Sequence, residues 1–535
     1  MRCQKSQITT PHGGGWFNRE IKLLGLFLTL ISFSNLIFGN NTFALYTPAL
    51  SASVDQTNLQ INGNQVINST SKTIEIPLNL TVNTNNKTGY TVTLKSETDE
   101  TALVNNDSTN GAKINSITLA SELSSFSNNT WGVKVGSSTN FSPIPKLTSP
   151  MNAIQTTEKT NGNDTNSIKI GMKLSDNLES GRYTNKLIFS ILTNNYDPIA
   201  IMTEGWDFNV KLQALETATN KIEHFKKSTV APAASMNAVN IEDEDSDYEI
   251  KLWFNPTDKT AYYYAETEKV YLNTDTSNMF FGMVHLTALD LSNFDTSKVT
   301  DMSGMFGVMP SLTTLDLSNF DTSNVTNMDE MFSGMPSLTT LNLSNFDTTK
   351  VTNMKNMLSD MHNLTTLDLS NFDTSKVTDM SGMFFNMSNL ATLDLSNFDT
   401  SKVTDMSGMF GVMPSLTTLD LSNFDTSNVT NMDEMFYGMS GLTTLDLSNF
   451  DTSKVTNMRG MFALYDEDIS KDKLERIYVN DDFNTTKLTN FTGMFKNRKK
   501  LRGGNGSYLA DPSTADKTWL RVDRPGVQGY FTRKP

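Results

Sequence analysis

Leu312-Thr-Thr-Leu315-Asp-Leu317-Ser-Asn-Phe320-Asp-Thr-Ser323-Asn-Val325-Thr-Asn-Met328-Asp-Glu-Met331-Phe332-Ser-Gly-Met335-Pro-Ser337 is one of seven closely similar 26-residue units, beginning at Leu286, Leu312, Leu338, Leu364, Leu390, Leu416 and Leu442. Repetition at a fixed period decides the architecture before local propensity does. The apolar spacing changes partway through the unit. Leu315 and Leu317 alternate as in a strand, Asp321-Thr322-Ser323 is turn chemistry, and Val325, Met328, Met331, Phe332 and Met335 follow helical spacing. Thr326 is placed to cap that helix, with Asn327 and Asp329 near its positive end. Such a unit cannot bury both its strand and its helix face alone. The expected fold is therefore an α/β leucine-rich-repeat solenoid of strand-turn-helix units, right-handed, with a parallel sheet along one side.

Stacking would align the outward strand positions in columns about 4.8 Å apart. Thr, Thr, Asp and Ser recur there, as at Thr313, Thr314, Asp316 and Ser318. The Asp column comprises Asp290, Asp316, Asp368, Asp394, Asp420 and Asp446, with Asn342 interrupting it. These positions form the candidate binding face. Carboxylates in file repel one another, so the column attracts cations weakly, meets a donor-rich partner, or serves only as a solubilising edge. Catalytic acids need unlike environments to separate their pKa values, and a repeated column offers each Asp nearly the same one. An ice- or mineral-facing lattice of Thr rows is disfavoured by the adjacent charge. A four-unit block is also duplicated, the units at Leu286 and Leu312 nearly matching those at Leu390 and Leu416. Such copying suits length and display better than a single irreplaceable site.

The Ser-Asn-Phe-Asp-Thr-Ser-x-Val-Thr-x-Met-x-x-Met-Phe core closely resembles the BspA-like leucine-rich repeat surface proteins of bacteria, over about residues 253–531. Trp253-Phe254, Ala261-Tyr-Tyr-Tyr264 and Met279-Phe280-Phe281-Gly282-Met283 resemble that family's lead-in segment and a truncated first unit. Leu474-Glu-Arg-Ile-Tyr-Val479 and Phe491-Thr-Gly-Met-Phe495 form a degenerate unit. Leu501-Arg-Gly-Gly-Asn-Gly506, Val522-Asp523 and Gly529-Tyr-Phe-Thr532 resemble its closing segment. Where the family often carries Cys near the end of the unit, this chain has Met309, Met335, Met361, Met387, Met413 and Met439, an adaptable apolar substitute. The resemblance implies a non-catalytic adhesin or binding module for host matrix proteins, cells or glycans, with an extracellular protein or glycan as partner.

Ahead of the repeats, 45–196 runs in short alternating segments. Thr73-Ile-Glu-Ile-Pro-Leu-Asn-Leu-Thr-Val82, Tyr90-Thr-Val-Thr-Leu94, Ser167-Ile-Lys-Ile-Gly-Met-Lys-Leu174 and Tyr183-Thr-Asn-Lys-Leu-Ile-Phe-Ser-Ile-Leu192 are examples, and the pattern predicts an antiparallel β-sandwich surface domain. Between them, 197–246 reads as an amphipathic helix, with Phe208, Leu212, Leu215, Ile222 and Phe225 inward and Lys226 and Lys227 in its last turn, followed by an acidic linker. The acids at 242–249 lack a twelve-residue calcium loop with a terminal Glu, so a solvated run is expected. The rest divides into lead-in segment (247–285), repeats (286–500) and closing segment (501–535).

Residues 1–44 read as an export signal. Arg2, Lys5, Arg19 and Lys22 precede an apolar run over 23–38, too short to span a bilayer comfortably, and Thr42-Phe43-Ala44 offers a cleavage point after Ala44. The alternative is an uncleaved anchor, the only expected membrane contact. The location implied is secreted or cell-surface. With 58 Asp+Glu against 43 Lys+Arg and a net charge of −15, the chain lacks the basic face of a nucleic-acid binder. One Cys and four scattered His leave few candidates for disulfides, metal sites or catalytic triads. No cofactor, metal or catalytic residue is expected; a wall-associated hydrolase targeted by the repeats and a purely structural surface-layer protein are the alternatives.

Overall fold

In a computed structural model, residues 23–33, 45–46 and 49–535 are described, the first stretch by its backbone alone. The chain divides into two compact units, 1–40 with 47–197 and 41–46 with 198–535. Among the described residues no helix is long and apolar enough to cross a membrane.

The front unit contains β1 (Leu23–Phe33), β2 (Leu50–Val54), β3 (Asn58–Asn62), β4 (Thr73–Thr84), β5 (Tyr90–Ser96), β6 (Leu103–Asn105), β7 (Lys113–Ser116), β8 (Thr130–Val135), β9 (Met151–Gln155), β10 (Asp164–Lys173) and β11 (Tyr183–Thr193). Period-two burial drives them: Leu78, Leu80 and Val82 of β4, Ile168, Ile170 and Met172 of β10, and Leu187, Phe189 and Ile191 of β11 are all buried in one core. The expected pair of antiparallel sheets is corrected. The strands connect in one eleven-stranded mixed sheet, ordered β2-β4-β10-β8-β7-β6-β11-β1-β3, with β5 branching from β11 and β9 pairing with β5. β11 is long enough to pair both β6 and β5 along one edge, and β1–β11 and β7–β8 pair in parallel. Of the expected export signal, 1–22 and 34–44 lie outside the described residues, as does the cleavage point after Ala44. The backbone of 24–33 pairs with β11, and that of 23–27 pairs antiparallel with β3.

In the second unit one hydrophobic cluster runs from Ala200 to Phe531. The expected helix and linker at 197–246 are corrected here. The helix spans only Gly205–Gln213, and His224–Lys227 is a strand paired in parallel with Thr260–Tyr264 and Ala288–Leu289. Phe225 stacks on Tyr263 at 5.3 Å and meets Phe280 at 5.2 Å and Phe208 at 5.7 Å, so this stretch closes the core. The acidic run is tied down too. Glu242 accepts from the Ile250 amide at 3.0 Å and Asp243 from Asn273 Nδ2 at 2.7 Å.

The α/β solenoid of strand-turn-helix units is likewise corrected. Strand accounts for 25% and helix for 7% of the structure, and within the repeats the segment from Val325 to Met335 and its equivalents are chains of turns. Backbone handedness is the reason. Most units place two residues four apart at positive φ: Gly304 and Val308, Glu330 and Gly334, Asn356 and Asp360, Gly382 and Asn386, Gly408 and Val412, Glu434 and Gly438. A right-handed helix cannot pass through such residues. The amides instead bond the next unit. Met328 donates to the Asn353 carbonyl at 3.0 Å, Glu330 to Lys355 at 2.8 Å, Phe332 to Met357 at 3.0 Å and Gly334 to Ser359 at 2.9 Å. Single parallel bridges continue this register from Asp275 through Asp301, Asn327, Asn353, Asp379, Asp405, Asn431 and Asn457 to Asn490. Thr326 caps no helix: its amide and hydroxyl both donate to the Thr300 carbonyl, at 2.8 and 3.2 Å.

Within the seven units the stretch read as strand is strand only at Ala288–Leu289 and Thr444–Asp446; elsewhere it joins no ladder. Behind it, phenylalanine rings form a near-parallel pile. Phe306 lies 5.9 Å from Phe332, and Phe410 5.8 Å from Phe436, with interplanar angles of 7°. The methionine columns, including Met309 to Met439, fill the interior at no more than 1% exposure.

Candidate functional site

The Leu-Asp-Leu-Ser segment bends the chain through an Asx turn, in which the Asp side chain accepts the amide two residues on. Asp316 Oδ1 accepts from the Ser318 amide at 3.0 Å, Asp368 from Ser370 at 3.0 Å, Asp394 from Ser396 at 3.0 Å, Asp420 from Ser422 at 2.9 Å and Asp446 from Ser448 at 3.0 Å. Asp290 adds the Ser292 hydroxyl at 2.6 Å to its amide at 3.1 Å. Asn342, which interrupts the acidic column, makes the same bond to Ser344 at 3.0 Å. One oxygen per residue is thus committed to the backbone. The sequence reading missed this role, although an amide replacing one carboxylate within the column is its signal.

Asp290, Thr313, Thr314, Asp316, Ser318, Asp368, Asp394 and Asp420 are exposed, whereas Asp446 is half-buried and paired with Lys534 at 2.8 Å. The Ser amide and hydroxyl hold Asp316, Asp368, Asp394 and Asp420 below the usual carboxylate range. Asp446 is also low, its burial being outweighed by its bonds to Lys534 and Ser448. These five therefore share one protonation state at neutral pH. These residues do not lie on a continuous hydrogen-bonded sheet, so the expected sheet face is an array of identical corners.

Two further columns repeat the device. Asp321, Asp347, Asp373, Asp399 and Asp425 cap the next corner, while Asp301, Asn327, Asn353, Asp379 and Asp405 cap a third. Beyond the third corner the units differ in charge. Asp329 is pushed up to about 6 by burial and by Glu330, with Lys355 opposing and Asp379 and Asp301 adding to the rise. Four units on, Asp433 instead meets Arg459 at 2.9 Å. Asp329 Oδ1 and Asp433 Oδ1 are both buried without a hydrogen-bond donor.

Sequence reading also overlooked the asparagine before each buried Phe. Asn319 Nδ2 donates to the Leu291 and Phe294 carbonyls of the preceding unit at 3.0 and 2.8 Å, and Asn345, Asn371, Asn397, Asn423 and Asn449 repeat the pattern. Its recurrence in every Ser-Asn-Phe was the available signal. Among the described residues no group of three or more His, Cys, Asp or Glu side chains is arranged to hold a metal ion.

Two overlapping stretches, 274–392 and 358–472, match the family described as "Mycoplasma protein of unknown function, DUF285". Among curated proteins nothing matches the chain.

Proposed function

We propose that this chain is an exported bacterial surface protein, related to the BspA-like proteins its repeat core resembles, and that it acts as a non-catalytic binding module for matrix proteins, cells or glycans. The observation that supports this reading is the array of exposed Thr-Thr-x-Asp-x-Ser corners, held in one geometry from unit to unit. A periodic, acidic, preorganised surface meets an extended partner at several points, and each weak contact is made with little further loss of side-chain freedom. Closely similar environments at Asp316, Asp368, Asp394 and Asp420 provide no acid and base of different pKa, which disfavours hydrolysis.

The Asx turns favour a second reading, a structural surface-layer role, because one oxygen of each Asp already serves the fold. Binding of the intact chain to arrayed matrix proteins and glycans separates the two. The variant Asp316→Asn/Asp394→Asn/Asp420→Asn removes three charges while keeping the turn acceptor that Asn342 already exemplifies. Loss of adhesion with unchanged thermal unfolding supports binding through the corners. Undiminished adhesion moves the binding surface elsewhere, and no binding to any arrayed ligand favours the structural role.

A further inference from the structure

One position in the turn segment departs from the repeat: residues 281, 307, 333, 359, 385, 411, 437 and 463 are Phe, Gly, Ser, Ser, Phe, Gly, Tyr and Ala. Each of the two Phe residues is followed one unit later by Gly. The reason is steric. A Cβ at Gly411 would lie 2.7 Å from Cδ2 and 2.9 Å from Cε2 of Phe385, and Gly307 stands in the same relation to Phe281. Phe385 thus rests one edge on bare backbone while staying partly exposed.

Beside this ring lies a groove of about 320 Å³ whose walls include Lys355, Asn356, Asp433 and Glu434. That volume is at the lower end of ligand clefts, about 300–1,000 Å³. Arg459 fixes both acids, its Nη2 2.9 Å from Asp433 Oδ2 and its Nη1 2.9 Å from Glu434 Oε1. An apolar platform, carboxylates fixed by Arg459, and neighbouring amide and ammonium donors therefore line one shallow groove.

We propose that this groove is a subsite for one pyranose ring of an uncharged glycan, a proposal that rests on the binding-module reading and names its ligand class. A pyranose presents a face of C–H groups, weakly positive at hydrogen, which packs on the negative face of an aromatic ring. Its rim carries hydroxyls that can donate to the partly exposed Glu434 carboxylate and accept from Asn356 or Lys355. The two wall carboxylates and the chain's net charge of −15 oppose anionic saccharides. Phe281 and Glu330 are the sequence equivalents, four units earlier, of Phe385 and Glu434, and there Asn209 and Gln213 bond the Phe281 carbonyl.

Calorimetric titration of the intact chain with short oligomers of glucose, mannose, galactose and N-acetylglucosamine tests the proposal, with the matching uronic acids as charged controls. At least one uncharged series is expected to bind, more tightly than its uronic counterpart. Phe385→Ala should weaken binding about tenfold or more, and Phe385→Leu, which keeps an apolar side chain without the ring face, should weaken it comparably. Binding by neither wild-type series, or equal binding by wild type and Phe385→Leu, overturns the proposal. If the corner variant loses adhesion to a protein ligand while Phe385→Leu retains it, the binding-module reading stands and the glycan subsite falls.

Discussion

The side-chain amide of Asn345 donates to the carbonyl oxygen of Phe320 across 2.8 Å, and to that of Leu317 across 2.9 Å. Both acceptors belong to the preceding unit, so this one side chain stitches two units where extended-chain pairing is absent. Asn345→Ala leaves the Phe320 carbonyl unpaired and the Leu317 carbonyl with only the Phe320 amide at 2.9 Å, and should lower stability by about 1–3 kcal/mol in urea unfolding. Asn345→Asp should fare no better, since a carboxylate cannot donate. If Asn345→Ala unfolds at the same urea concentration as a change at exposed Ser344, water has replaced the amide.

Phe346 is 3% exposed and lies 6.2 Å from the Phe332 ring, whereas Thr339 faces solvent. Phe346→Ala should cost about 3–5 kcal/mol through the cavity it opens between units, and Thr339→Ala should stay within about 0.5 kcal/mol of wild type. Equal losses would mean that the inward and outward faces are exchanged.

A fragment beginning at residue 247 lacks Phe208, Leu212, Ile222 and Phe225, all buried in the second unit's core, and lacks the strand His224–Lys227 that pairs with two others. Residues 198–535 should unfold in one sigmoidal thermal transition, whereas 247–535 should melt at lower temperature or without a clear transition. A cooperative 247–535 fragment of undiminished melting temperature would show that the first segment only decorates the core.

The period, the inward Leu, Val, Met and Phe positions and the outward Thr and Asp were legible because burial follows apolar identity directly. The conformation of Val325 to Met335 was not. Helical spacing also arises when two successive turns point the same side chains inward, and the left-handed residues that enforce those turns are varied: Gly382 and Gly408, but also Glu330, Asn356 and Val412. Val308 and Val412, β-branched at φ of 55° and 57°, conceal the turn most effectively, since such residues seldom adopt that conformation. For the candidate site, the Asp column was visible but its task was not. A side chain that bonds the amide two residues ahead has the same letter as one that waits for a ligand.

Burial and the neighbouring Glu330 push Asp329 up to about 6 in the fold, above the ordinary carboxyl value of about 3.9, so folding favours its protonated form. The destabilisation is absent well below the unfolded pKa, grows as pH rises through the interval between the two values, and is complete near neutrality. Asp329→Asn should accordingly raise stability at pH 7, by about 1 kcal/mol after allowance for its partial solvent contact, and change it little near pH 4. A gain of the same size at both pH values would mean that ionisation of Asp329 is not the cause.

Arg498 is wholly interior, donating to the carbonyls of Phe462 and Met439 and to Asp472 Oδ1 at 2.8 Å, with both ion-pair side chains 1% exposed. It stands near the end of the repeats, where the Thr-to-Thr bond that spans 26 residues between regular units spans 33, from Thr489 to Thr456. There the guanidinium supplies donors to the inward carbonyls of Phe462 and Met439. Asp472→Ala strands that guanidinium without a counter-charge and should cost about 3–5 kcal/mol, because an unpaired buried ion is far less favourable than a paired one. Replacing both partners by apolar residues, Asp472→Leu with Arg498→Met, removes the charges together but leaves the Phe462 and Met439 carbonyls without donors. The double variant should therefore recover part of the loss, and full recovery would mean those carbonyls find other donors. If Asp472→Ala alone unfolds at the wild-type temperature, the pair is dispensable and the closing segment is held by its apolar contacts, Phe462 against Phe495 at 5.2 Å and Phe495 against Tyr530 at 4.7 Å.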